Sequence, residues 1–536
     1  MVESTGLAGT RPSLGRPGGL NFHLSAAALL SSLLLGGGTM AGLLSDVALE
    51  LLAIPVLLVA LGRLAEDRGS LARSRWALLF CTGLMLVPAL QLVPLPPRLW
   101  TQLPGRSGEA AAFDLLQTSL PWMPISVSPV ATRLSALSLV PPVSIFLAVV
   151  ALGSRERRLL SLLVLGVGIV SAFFGLAQVA QGPSSSLRFY EVTNETEAVG
   201  FFANRNHFAA FLYCLIVLTA AWITEAANTS FSSNRRFGNA RIVALVGGFT
   251  LLVILLAAEA MARSRAGLGL TIAALLGGMA VALADRRTTS GITPIRLLLA
   301  AAALAAMFIV QFTLYRLLER FLDPLRDSRI VFAQVTAAAA KSFMPFGSGV
   351  GTFVPVYAAF EKPQDALLDA YINRAHNDFL ELWLEAGVAA MILMALFFVW
   401  LIKRSLKVWR RNPGVPQLDL SLQRSGTIVI GLIVAHSALD YPLRTGAMMA
   451  VLALACALLT DAPPDALEPE RTASSSRPVA QLWQAARDRP PQLSEPSAPQ
   501  GASSQWGDGM EWPDEWRSGS KDNHSRPGTK SKGRRD

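Results

Sequence analysis

Apolar residues run along this chain in long unbroken stretches, separated by short and often basic segments. A hydrocarbon core about 30 Å thick needs about 20 apolar residues per helix. That ruler predicts an all-α, polytopic membrane protein with about twelve transmembrane helices. They fall near residues 21–35, 45–61, 76–93, 134–152, 159–180, 208–223, 242–262, 266–284, 295–312, 379–402, 426–439 and 445–459. The first and the eleventh are short. The first apolar run flows through Gly36–Gly38 into the next, with no cleavage context ahead of it. It reads as an uncleaved helix.

Lys and Arg near helix ends set the orientation. Arg63, Arg68, Arg73 and Arg75 share one set of alternate loops with Arg155, Arg157 and Arg158. So do Arg235, Arg236, Arg241, Arg286 and Arg287, and Lys403, Arg404, Lys407, Arg410 and Arg411. These loops are expected in the cytoplasm, together with both termini. Three outer loops remain, near 94–133, 181–207 and 314–378. The last and largest lies between the ninth and tenth helices. Three parts are expected: a cytoplasmic segment 1–20, a transmembrane domain 21–460 and a tail 461–536. The tail turns abruptly to Pro, Ser, Gly and charge, so it is expected to be cytoplasmic and disordered. Its Trp506, Trp512 and Trp516, among acidic residues, offer a surface on which a partner could dock.

Composition sharpens this picture. Of 536 residues, 52% are hydrophobic and only 16% charged, with mean hydropathy +0.43. Soluble domains carry about 25% charge. The net charge of +10 does not indicate nucleic acid, because the basic residues sit at the ends of apolar runs beside membrane lipids. Cys81, Cys214 and Cys456 each lie inside an apolar run and read as buried small hydrophobes, not a disulfide framework.

Candidate chemistry lies on the outer face. Arg205, Arg263, Arg265, Arg326, Arg329, Arg374 and Arg444 all fall near outer helix ends, where the positive-inside rule disfavours them. Charge beside the bilayer is costly and tends to be functional, and guanidinium groups bind phosphate in a two-pronged fashion. The bland alternative is snorkelling to lipid headgroups. His207, His376 and His436 join the same layer. His376 precedes Asn377, Asp378 and Glu381, and Asp378 with Glu381 resembles a capping box that starts the tenth helix. An imidazole there could take a proton from a sugar hydroxyl as a general base. The stretch Gly347-Ser348-Gly349-Val350-Gly351 lacks a Walker lysine and reads as a flexible turn. No metal is expected: the outer loops show neither paired His or Cys at ligand spacing nor Asp-x-Asp.

In order along the chain, four segments resemble the O-antigen ligase and polymerase superfamily of bacterial envelope glycosyltransferases. They are Phe201–Ala209 with Asn204-Arg205-Asn206-His207, then Ser264-Arg265-Ala266-Gly267, then Ser328-Arg329 with Gly349-Val350-Gly351, and His376-Asn377 with Gly387. The likeness spans roughly 20–460 in layout and is strongest over 200–387. One departure is that Val388-Ala389-Ala390 replaces a later family glycine. The resemblance implies transfer of a glycan from undecaprenyl pyrophosphate at the periplasmic face of the inner membrane. The acceptor would be lipid A-core or a growing polysaccharide, with inversion at the anomeric carbon and neither metal nor cofactor. By position it implies that His376 activates the acceptor and that Arg265 and Arg329 hold the pyrophosphate. Arg205, His207, Arg263, Arg374 and Asn377 are expected to contact glycan or phosphate.

Ligase and polymerase share these motifs and stay open, and the resemblance does not account for the tail. The rival class is a transporter of about twelve helices, which predicts broken helices and charges at mid-depth. Here Glu259 is the main charge inside a helix.

Overall fold

A computed structural model describes residues 19–40, 44–66, 68–228, 235–284, 328–364, 372–410 and 415–463, with the single residues 42, 296, 299, 300 and 303. Contacts divide the chain into Met1–Leu467 and Glu468–Asp536, and every described residue belongs to the first unit. Apart from those single residues, the expected ninth helix, 295–312, lies outside the described residues, as do the tail beyond 463 and Arg286, Arg287 and Arg326.

The described chain is mostly helical. It runs α1 (Leu20–Leu35), α2 (Leu44–Ala65), α3 (Arg68–Gln91), α4 (Pro97–Trp100), α5 (Ser107–Leu115), α6 (Pro129–Ser138) and α7 (Val140–Val150). There follow α8 (Ser154–Gln181), α9 (Arg205–Asn228), α10 (Arg235–Ala262), α11 (Arg265–Ala284), α12 (Ser328–Ser342) and α13 (Phe353–Phe360). The chain closes with α14 (Asp378–Trp409), α15 (Gln417–Ser437) and α16 (Gly446–Leu459). Among the described residues nine helical stretches are long and apolar enough to cross a membrane, and α1 and α16 are shorter apolar helices. Pro141 and Pro142 lack amide donors, so α6 and α7 meet in a step within one such stretch. The expected eleventh helix begins earlier than its apolar run, at Gln417, because Asp419 pairs with Arg158 at 2.6 Å and can enter the helix.

Helix α9 is the centre. Every residue from Phe208 to Leu218 is buried, and α8, α10, α11 and α15 pack around it. The three cysteines are free and buried, as expected.

Two ends can be told apart. At one, Asn206 of α9, His376 ahead of α14 and Asp440 after α15 are bonded together. The amide of Ala198 ties the approach to α9 to Met261 of α10. The first outer stretch here is ordered by a two-stranded antiparallel ribbon, Pro94–Leu95 with Met123–Pro124. The stretch 314–378 contains α12 and α13.

At the opposite end sit Arg157, Arg158, Arg404 and Lys407, basic residues that the orientation rule assigns to the cytoplasm. Arg157 is not a solvated loop cation. Its buried guanidinium donates to the carbonyls of Val149, Val150, Leu152, Ala457 and Thr460 at 2.8–3.1 Å. It thereby satisfies the last carbonyls of α7 and α16, which no helical amide can reach. Replacing Arg157 by Ala should lower stability by about 2–4 kcal/mol. Arg155→Ala, an exposed change one turn-start away, should stay within about 0.5 kcal/mol. Thermal unfolding in detergent decides this, and equal losses in the two variants would contradict the capping role.

Candidate active site

The head of α14 is held by an asparagine. The Asn377 side-chain oxygen accepts from the amides of Phe379 and Leu380, both at 3.0 Å, and its amide donates to Ala438 at 3.0 Å. The cap is therefore Asn377 and not Asp378. A short amide side chain in extended backbone can reach the first free amides, while Asp378 is already helical. Glu381 does reach back, as a capping box would, but to the amide of Ala375 at 2.9 Å.

Just before the cap, His376 takes φ 51°, in the left-handed region. Its Nδ1 lies 2.9 Å from Oδ1 of Asp440, and 22% of its side chain remains open. Asp440 is fully buried. Burial works to raise its carboxyl, but the hydrogen bond with His376 and the charge of Arg329 outweigh burial and hold it well below the usual range. Asp440 is thus an ionised acceptor, so Nδ1–H donates to it and Nε2 carries the ring's lone pair. Tyr441 stands beside this pair, its ring edge-on to His376 at 4.9 Å and to His207 at 4.9 Å. Burial pushes the Tyr441 hydroxyl up to about 12, and Asp440 adds to the effect.

The structure gathers three candidates at Asp440. Besides His376, Arg329 donates from Nη1 to Leu439 at 2.9 Å and sets Nη2 3.8 Å from Oδ2 of Asp440. His207, wholly buried, reaches the group through the ring of Tyr441. His436 is bonded at Nδ1 to the Tyr213 hydroxyl at 2.9 Å. Arg205 is the first residue of α9 and pairs with Glu197. Arg263 has φ 50° in the turn between α10 and α11. The exposed Arg265 opens α11, which Ser264 caps by accepting from the amide of Gly267 at 3.0 Å. Arg374 donates to Glu381 at 2.9 Å. Arg444 lies among Asp378, Glu381 and Glu385 at 3.5, 3.3 and 3.0 Å. Among the described residues no His, Cys, Asp and Glu side chains form a group of three able to hold a metal ion.

Asp440 was not singled out from the sequence. A signal existed: it is the only acidic residue between Asp419 and Asp461, four positions after His436. An isolated acid between two apolar runs has to be paired to be tolerated.

The glycine-rich stretch is not a loose turn. Helix α14 breaks at Gly387, with φ 54° and ψ −133°, and the stretch repairs the break. The amides of Ser348 and Gly349 donate to the carbonyls of Leu384 and Glu385 at 3.0 and 2.9 Å, and Val388 donates to Pro345 at 2.9 Å. Gln91 adds bonds to Glu385 and from Val350, both 2.9 Å. A Cβ on Gly387 would come within 2.2 Å of the Pro345 oxygen.

Residues 249–395, from mid-α10 to mid-α14, match the O-antigen ligase family. Over that segment, about a quarter of the chain, the sequence is similar to O-antigen ligases. Members of that family are glycosyltransferase-type ligases and polymerases, and with its many apolar helices the chain is a multi-pass membrane protein. Among curated proteins none matches the chain. The matched segment contains His376, Arg263, Arg265, Arg329, Arg374 and Asn377, whereas Asp440 and Arg444 lie beyond it.

Gly387→Ala should cost at least about 2 kcal/mol, through left-handed backbone strain and collision with Pro345. Gly431→Ala, on an open face of α15, should be neutral or mildly stabilising. Melting temperatures in detergent separate the two, and a harmless Gly387→Ala would sink the account of the break.

Proposed function

We propose that this protein transfers a glycan from an undecaprenyl-pyrophosphate carrier to an acceptor hydroxyl at the periplasmic face of the inner membrane. The observation that carries the reading is the hydrogen bond between His376 and a buried, ionised Asp440 within reach of a ligase-family domain. The carboxylate fixes ring orientation and tautomer, so Nε2 can accept the proton of the acceptor hydroxyl. That oxygen attacks the anomeric carbon from the face opposite the leaving group. The carbon–oxygen bond to pyrophosphate breaks with inversion, and the pyrophosphate keeps the electron pair. Arg265 and Arg329 stabilise the charge that develops on it. Arg205, His207, Arg263, Arg374 and Asn377 line or brace the surrounding surface. Holding two lipid-tethered reactants at one surface lowers the entropy cost of their meeting. Both the donor and the acceptor, lipid A-core or a growing polysaccharide, follow from the family and not from contacts in this chain.

Twelve helices with both termini in the cytoplasm would put His376 in the periplasm. The gathering of Arg157, Arg158, Arg404 and Lys407 at the end opposite His376 supports that orientation. The break in α14 is a feature that favours a transporter, since broken helices are common there. Here its freed backbone groups are taken up by the chain's own loop and by Gln91, which supports a fixed scaffold.

In a strain lacking the gene, wild-type protein should restore the finished glycan, while His376→Ala and Asp440→Asn should each lose about 10²–10⁴-fold in activity and let lipid-linked glycan accumulate. Normal glycan from His376→Ala at equal protein level would refute the proposal. The glycan ladder separates the two family reactions: single repeats on the anchor mark failed elongation, and long chains left on undecaprenol mark failed attachment. A topology reporter beside residue 376 that is active in the cytoplasm would overturn the orientation.

A further inference from the structure

Arg444 looked from the sequence like one more phosphate-binding cation, but its surroundings have the wrong sign for that. Its side chain is 13% exposed and faces three carboxylates on successive turns of α14. Nη2 lies 3.0 Å from Glu385 and 3.3 Å from Glu381, and Nε lies 3.5 Å from Asp378. Glu381 and Glu385 are fully buried and Asp378 nearly so. Arg374 shares the task of balancing them, through Glu381. A pyrophosphate brought to this place would have to displace three carboxyl side chains from the guanidinium.

What Arg444 does instead is join two pieces of chain. It ends the short 3-10 turn Pro442–Arg444, which follows directly on Asp440 and Tyr441. The carboxylates it grips belong to the helix that starts two residues after His376. Asp378 strengthens the same joint: its Oδ2 accepts from the Ser437 hydroxyl at 2.8 Å and from the Leu443 amide at 3.3 Å. The Asn377 amide, donating to Ala438, closes it on the other side. The His376–Asp440 bond therefore spans a seam, and Arg444 is the cation that bolts the seam from beneath.

We propose that Arg444 is a positioning residue for the transfer reaction: by gripping Asp378, Glu381 and Glu385 it holds the turn that carries Asp440 against the loop that carries His376. The inference rests on the reaction proposed above. It adds that this arginine acts through the His376–Asp440 pair and does not touch the donor.

The test uses full-length protein in lipid nanodiscs. The donor is the lipid-linked glycan extracted from the knockout strain, and the acceptor is that strain's membrane fraction. Per mole of folded enzyme, Arg444→Met should lower kcat by about 10–100-fold and leave the donor KM within about twofold, because a small misplacement of a base costs rate and not binding. In an Asp440→Asn background the same change should cost no more than about twofold, since the bond it protects is already lost. A raised donor KM with kcat preserved would make Arg444 a donor ligand and overturn the proposal. So would unchanged kinetics, or losses that multiply in the double variant. If Arg444→Met does not fold, Arg444→Lys serves. It keeps the charge but cannot reach three carboxylates, and it should show a smaller kcat loss that again vanishes with Asp440→Asn. Wild-type protein inactive on this donor would defeat the proposed function itself, whereas active wild type with multiplying losses would defeat only the role of Arg444.

Discussion

A carboxylate sealed inside a membrane protein has to be bought with partners, and Asp440 draws its partners from three distant parts of the chain. Desolvating an isolated charge costs several kcal/mol even after relaxation, so the fold is stable only with those partners in place. Asn206 comes from the head of α9, Arg329 from the start of α12, His376 from the loop before α14, and Asp440 itself follows α15. One buried charge thus specifies how four elements meet. The same bond sets the chemistry of the ring, because an ionised acceptor at Nδ1 leaves the lone pair on Nε2.

A second constraint comes from the backbone. At membrane depth every amide and carbonyl needs an internal partner, so a broken helix is tolerated only where protein fills the break. Gly387 breaks α14, and the loop at 345–350 with Gln91 supplies the missing bonds. The nine residues from Asp378 to Ala386 become a short helix of their own, free to take a direction the rest of α14 does not. That short helix carries Asp378, Glu381 and Glu385, which Arg444 and Arg374 hold. The glycine at the centre of this joint follows from it: Gly347, at φ 76°, lies against the backbone of Glu385 where no Cβ fits.

How much of this was legible in the sequence follows from what each signal depends on. The helices were readable because hydropathy is summed over many residues, so single errors average out, and α1, α2, α11 and α16 start and stop within a few residues of their apolar runs. The eleventh was misplaced at its start because Asp419 and Arg424 look like loop residues until their partners Arg158 and Trp409 are seen across the bundle. At the site, His376 stood out by its neighbours in sequence, but Asp440 belongs to it only in space, 64 positions away. Asn377 and Asp378 are equally good caps by residue type, and only backbone geometry distinguishes them. The glycine stretch reads in sequence as a flexible turn, because its partner, the break at Gly387, is a tertiary feature.

The outer arginines looked like a single class, and the fold divides them. Arg205, Arg374 and Arg444 are each committed to carboxylates of Glu197 or of α14. Arg265 and Arg329 share a different setting: each follows a serine, in Ser264-Arg265 and Ser328-Arg329, within the first two residues of a helix. At such a position the helix dipole adds to the side chain's own charge, so an anion is attracted by both. On the proposed reaction, a leaving pyrophosphate would be held by this pair, while the paired arginines keep the acids of the scaffold from repelling it. The arginines that grip Glu197 and the acids of α14 are thus told apart from the two that stand at helix starts, and the sequence alone could not sort them, because the sorting depends on where each acid is buried.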